Sequence, residues 1–347
     1  MKASLTITFA NNANYGAFLQ AYSLQNLIGR KNDIANEKPL LKHLVSYQRR
    51  KKFKLLWRIL AGYRLFFRKT ALHEIYRLRI KEQSIFLCKN INQKYSIFIA
   101  GSDQIWNPNF ISEREEIYFL DFAPPTAKRI SYAASLGMKQ WPKDFEQRVL
   151  PMLQKFNAIS VREESSVPYL TSLGLKNVVC VCDPTILHNG DFYRREFPGA
   201  KIPKGEYTFV YKIRERIPEA VQQILPKNTV TVDLQKKRAI VSVTDWLGLI
   251  DNAKFVVTDS FHCAVFCLLF HKPFIVLPNN STQQGMNERF ATLLGKTGLE
   301  YRCVGTNDSS AEISSKLNQS VDWEKIESIL QEWRNYSANW LKNALES

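Results

Sequence analysis

Residues 254–278, KFVVTDSFHCAVFCLLFHKPFIVLP, decide the fold. Phe255, Val256 and Val257 form a short apolar run, the pattern of a parallel strand buried on both faces. The run breaks at Thr258, Asp259 and Ser260, whose side-chain oxygens can accept from the free N–H groups of a helix start. Residues 261–270 are then apolar nearly all round, which requires a helix buried on every side. Lys272 and Pro273 end that helix, and residues 274–277 supply the next strand, completing a βαβ unit. In doubly wound sheets ligands bind beyond the carboxyl ends of the strands, which sets Asp259, Ser260 and His262 at a ligand edge. A lone histidine can be a satisfied core or capping residue. At a helix start, where anions are favoured, it can also meet a phosphate or carboxylate, or serve as a general acid.

The same strand-then-polar-loop pattern recurs upstream. A strand over 4–9 leads into the turn 11–16 and an amphipathic helix over about 17–28, making Asn14 and Gly16 site candidates, although both are also ordinary turn formers. A strand over 96–100 ends in Gly101, Ser102 and Asp103, which combine close backbone approach, a donor and a potential base. Strands over 129–134, 156–161 and 178–182 follow. Arg162, at the end of the second of these, is either an ion-pair partner of Glu163 or Glu164 or an anion ligand. The pattern loosens through Asn189, Gly190, Pro198, Gly199, Pro203 and Gly205, a domain boundary. Strands over 207–211 and 230–234 and a helix through 246–250 then lead to the 254–278 unit, and helices over 288–294, 311–317 and 323–345 close the chain. The reading is an α/β protein of two Rossmann-like domains, 1–190 and 205–347.

Composition narrows the function classes. The 347 residues are 45% hydrophobic, enough for two ordinary domains, and carry a formal charge of +16. Residues 42–82 hold thirteen Lys and Arg against two Glu, a surplus of eleven, with Trp57, Tyr63, Phe66 and Phe67 interleaved. That combination suits either a helix packed on the core or one lying on an anionic membrane surface. No nucleic-acid-binding motif accompanies the charge. Cys180 and Cys182 alternate with valines, and several of the six cysteines fall in apolar patterns, as expected of buried thiols in a reducing compartment. No zinc-ligand spacing is present, and no apolar run approaches the roughly 20 residues that span a bilayer. Residues 1–10 run straight into Asn11 and Asn12, unlike a signal peptide, so a cytoplasmic protein is expected.

Taken together, Asn14-Tyr15-Gly16, the run GSDQIWN at 101–107, ISVRE at 159–163, Asp183-Pro184-Thr185, and DSFH at 259–262 followed by HKPF at 271–274 resemble the polysaccharide pyruvyl transferase family. The resemblance extends over about residues 10–300. It implies a two-domain architecture like that of GT-B glycosyltransferases, and transfer of a pyruvyl ketal from phosphoenolpyruvate to a sugar of a surface polysaccharide or its lipid-linked precursor. Phosphoenolpyruvate enters as co-substrate, with no cofactor and no metal. Members commonly present Arg-Leu-His where this chain has Ser260-Phe261-His262, and that Arg is implicated in holding the donor. Ser260 cannot supply a bidentate, charged clamp. The chemistry requires an acid, a base and an anion site, for which His262 and Asp103 are the expected catalytic pair. Arg162, Ser260, Lys272 and Arg289 are the expected donor ligands, and Asn14, Tyr15, Gly16, Ser102 and Trp106 the expected acceptor side. Expected partners are the donor, a sugar acceptor and an anionic membrane surface, the enzyme lying at the inner face of the cytoplasmic membrane. The alternative is a sugar-nucleotide glycosyltransferase on the same fold.

Overall fold

The computed structural model describes residues 3–10, 14–29, 31–36, 77–78, 80–84, 94–111, 113–214, 216–234, 241–278 and 287–347. Most of the basic segment 42–82 therefore lies outside the described residues. Two parallel sheets organise the chain. The first has the order β3-β2-β1-β4-β5-β6-β7, from β1 (Ser4–Ile7), β2 (Asn32–Asn36), β3 (Ile80–Ser84), β4 (Ile97–Ala100), β5 (Lys128–Ala134), β6 (Ala158–Val161) and β7 (Val179–Cys180). The second has the order β11-β10-β8-β9, from β8 (Thr208–Lys212), β9 (Thr229–Asp233), β10 (Phe255–Thr258) and β11 (Phe274–Val276).

Among the described residues, helices of six or more residues are α1 (Tyr15–Ile28), α2 (Lys143–Leu153), α3 (Ser166–Ser172), α4 (Gly190–Glu196), α5 (Glu219–Ile224), α6 (Val243–Asp251), α7 (Phe261–Leu269), α8 (Glu288–Thr297), α9 (Ser310–Asn318) and α10 (Trp323–Glu346). All nine residues of α7 are buried, as the absence of a polar face demands.

Strand order reverses at two places, between β1 and β4 in the first sheet and between β8 and β10 in the second. The loops that leave these four strands diverge there and open a crevice. The boundary between the sheets is a packed core. Tyr15, at the start of α1, stacks on Trp246 of α6 with ring centres 5.1 Å apart, and its hydroxyl donates to the Val241 carbonyl at 2.7 Å. The last helix, α10, returns to the first sheet: Arg334 Nε donates to the Ile186 carbonyl at 2.7 Å, and Ser337 Oγ accepts from Cys182 N at 2.9 Å.

Candidate active site

The two switch points face each other across one cleft. The first sheet contributes Asn14, Asp103 and Gln104, and the second half of the chain contributes Ile213, Arg214, Asp259, Ser260, Phe261, His262, Arg289 and Phe290. Local sequence fixes each loop. Ser260 caps α7, its Oγ accepting from Cys263 N at 3.4 Å, while its own N–H donates to Thr258 Oγ1 at 3.0 Å. Asp259 accepts from the N–H groups of Ile213 and Arg214 at 2.6 and 2.7 Å, which pins the loop after β8 against the loop after β10. Asn14 caps α1 by accepting from Gly16 N at 3.0 Å.

His262, on the first turn of α7, leaves its own domain and lies in a socket of the first. Its Nε2 is 3.5 Å from Asp183 Oδ2, and its Nδ1 side lies over Gly16, where a Cβ would come within 2.7 Å of His262 Cβ and closer still to Nδ1. Only glycine fits under the ring. Asp183 is fully buried. Its Oδ2 accepts from Arg162 Nη1 at 2.9 Å and from Ser102 Oγ at 3.3 Å, and its Oδ1 from Thr185 N and Oγ1 at 3.0 and 2.7 Å. Burial alone would raise its pKa, but the neighbouring His262 and Arg162 and the Thr185 N–H override this and hold the carboxyl well below the usual range.

Positive charge gathers at the cleft. Arg289, the second residue of α8, has a buried Nε without a hydrogen-bond partner among the described residues, and its guanidinium lies 5.8 Å from the Phe261 ring centre. Burial, and then the proximity of Arg162, pull its pKa down to about 10. Arg214, on the loop after β8, is exposed at the rim, its guanidinium 5.7 Å from the Phe110 ring. Arg162 lies behind this lining, its guanidinium 4.7 Å from the Phe261 ring centre, with Glu163 Oε1 at 3.6 Å. Burial raises the Glu163 carboxyl despite Arg162 and a hydrogen bond from Ser135 Oγ.

The residues singled out by sequence divide accordingly. His262, Ser260, Arg289, Asn14 and Asp103 line the cleft. Asp103 sits in the left-handed region at φ 73°, held by Gln104 N donating to its Oδ1 at 2.9 Å. Gly16 is the seat of the histidine ring, and Ser102 is buried behind it, donating to Ala133 O and Asp183. Four expectations need correction. Trp106 has no exposed surface, stacks on Phe119 at 5.3 Å and donates to the Tyr118 carbonyl at 3.1 Å, so it is core and cannot touch an acceptor. Tyr15 is likewise consumed in the domain boundary. Arg162 is 1% exposed and holds Asp183 instead of lining the cleft. Lys272 follows the far end of α7, about 13 Å of helix away from the site, at the amino edge of β11. Asp183 and Arg214 were missing from the expected set. The Asp183-Pro184-Thr185 motif was the one available signal for the former.

Among the described residues no group of three or more His, Cys, Asp or Glu could hold a metal, and no helix is long and apolar enough to cross a membrane. A comparison with curated protein sequences finds no match. Similar solved structures include a UDP-N-acetylglucosamine 2-epimerase from Rickettsia bellii, with 9% identity over 99% of this chain and 96% of that one and a TM-score of 0.51. The S. aureus MnaA–UDP complex has 11% identity over 100% and 97%, with a TM-score of 0.52. A Listeria monocytogenes protein, provisionally described as a UDP-N-acetylglucosamine 2-epimerase, has 12% identity over 100% and 96%, with a TM-score of 0.54. These likenesses establish the GT-B architecture of two facing Rossmann-like units. The sequence profile for polysaccharide pyruvyl transferases matches residues 14–281, through both halves of the cleft, and the chain belongs to that family.

Proposed function

We propose that the enzyme transfers a pyruvyl group from phosphoenolpyruvate to two hydroxyls of a sugar, forming a ketal and releasing phosphate. The observation that carries this reading is Arg289: a half-buried arginine lining the cleft, its buried Nε lacking an acceptor among the described residues, beside the start of α7 and on the same lining as His262. A cation so placed is incomplete without an anion, and phosphoenolpyruvate is anionic at both ends. Arg289 thus takes the part of the arginine that the family commonly carries at the Ser260 position.

In the reaction a proton adds to C3 of the donor, and C2 gains cationic character. One sugar hydroxyl adds to C2 as its proton passes to a base, the C2–O bond to phosphate breaks, and the second hydroxyl closes the ketal. The proton balance is completed by the departing phosphate. His262 is the proton donor and Asp103 the base for the attacking hydroxyl. Arg289, assisted by Arg214 and the free N–H groups at the start of α7, neutralises the phosphate as it leaves.

The acceptor in this reading is a lipid-linked sugar, reached at an anionic membrane surface through the basic, aromatic segment 42–82. The sequence of that segment is the support for this part. A donor screen tests the reaction. Acceptor-dependent release of phosphate from phosphoenolpyruvate is expected, whereas release of nucleotide from a sugar nucleotide with no turnover of phosphoenolpyruvate would replace this reading with a glycosyltransferase.

A further inference from the structure

We infer that Asp183 is the positioning residue of His262: a carboxylate supplied by the first domain that fixes the orientation and tautomer of a histidine supplied by the second. The inference rests on the reading of His262 as proton donor and adds what orients its ring, by holding the proton of the nitrogen that faces away from the substrate.

The geometry has three parts. First, Asp183 Oδ2 faces Nε2 at 3.5 Å, an ion-pair approach longer than a full hydrogen bond, and a carboxylate on that side favours the ring form with a proton on Nε2. That leaves Nδ1, which lies on the Gly16 side of the ring, as the nitrogen available to exchange a proton in this proposal. Second, Asp183 itself cannot turn. Arg162 and Ser102 hold Oδ2, Thr185 holds Oδ1 twice, and all four residues are buried. Third, the contact crosses the domain boundary, because Asp183 follows β7 of the first sheet whereas His262 opens α7 of the second. The acid is therefore complete only when the two domains are packed as they are here. A nucleophile or acid backed by a base that is oriented by a third, buried group is a recurrent arrangement in enzymes, and here Arg162 is the fourth member that fixes the third.

Asp183→Asn keeps the shape and removes the charge. The expected result is a fall in kcat of about a hundredfold, with KM for phosphoenolpyruvate within about threefold of wild type because Arg289 is untouched. Nitrogen-15 NMR gives a readout independent of turnover. The chain has five histidines, so His262→Gln assigns the signal, and the wild type should show the Nε2–H tautomer at high pH whereas Asp183→Asn should not. If Asp183→Asn does not fold, Thr185→Val removes a single donor to Asp183 and should lower kcat about fivefold, the equivalent of one ordinary hydrogen bond, with a mixed tautomer. A folded Asp183→Asn enzyme, or failing that Thr185→Val, with wild-type kcat and an unchanged tautomer would overturn the proposal. Failure of the donor reading alone would leave the tautomer result standing.

Discussion

Gly16 and His262 show how one atom at one residue can control the site. The ring lies where a Gly16 side chain would be, and the neighbours that would have to yield belong to a buried imidazole on a fully buried helix. Gly16→Ala is expected to leave the circular dichroism spectrum unchanged and to lower kcat at least about tenfold, because displacing a reacting group by even an ångström is costly. His262→Ala should lower kcat by about a hundredfold or more in a folded protein, the range of general acid catalysis. Asp183 offers a test in stability. Its folded pKa is held below its unfolded value of about 3.9, so its contribution is present above that pH and is lost as pH falls below it. The difference in Tm between wild type and Asp183→Asn should therefore shrink between about pH 6 and pH 3. A difference that grew on acidification would give the carboxyl the opposite sign.

At the scale of elements, the strand-end rule made much of the site legible. Ser260, His262, Asp103 and Asn14 could be picked out because each lies in the polar loop or helix start that comes after a strand, and Arg289 because its helix follows the loop after β11. What could not be read was what lies behind them. Asp183 meets His262, and Arg162 meets Asp183, through contacts distant in sequence, so no local pattern distinguishes Arg162 as a holder of Asp183 from Arg162 as a ligand. Trp106 was misassigned because an aromatic next to a polar loop has the same sequence signature in a core as in a sugar site. Strand β2 was missed for a different reason. Its polar sequence, NDIAN, hides a buried Asn32 whose Oδ1 accepts from Ser4 Oγ and Thr6 Oγ1 at 2.9 and 3.0 Å. Pairing across strands, not apolar content, satisfies it. The return of α10 to the first sheet combines apolar packing with single hydrogen bonds, and Ser337→Ala, which leaves the buried Cys182 N–H without its partner, should cost about 1–3 kcal/mol in a denaturant titration.

For the whole molecule, the packed boundary and the facing switch points make the cleft a preformed feature of the GT-B architecture, and the basic segment 42–82 is expected to carry that cleft to its acceptor. Co-sedimentation with anionic vesicles at low salt, lost at high salt and in a variant with Arg50, Lys51, Lys52, Lys54 and Arg58 changed to Gln, is the expected outcome; equal, negligible binding by both proteins would remove the membrane from the account. The claim on which the rest depends is that an anionic donor sits against Arg289. Calorimetric titration of phosphoenolpyruvate into wild type, Arg289→Lys and Arg289→Gln tests it most directly. Saturable binding by the wild type is expected, weakened at least about tenfold in Arg289→Gln as for loss of a hydrogen bond to a charged group, with an intermediate loss in Arg289→Lys. Equal affinity in all three proteins, or no binding of phosphoenolpyruvate by the folded wild type, would contradict it.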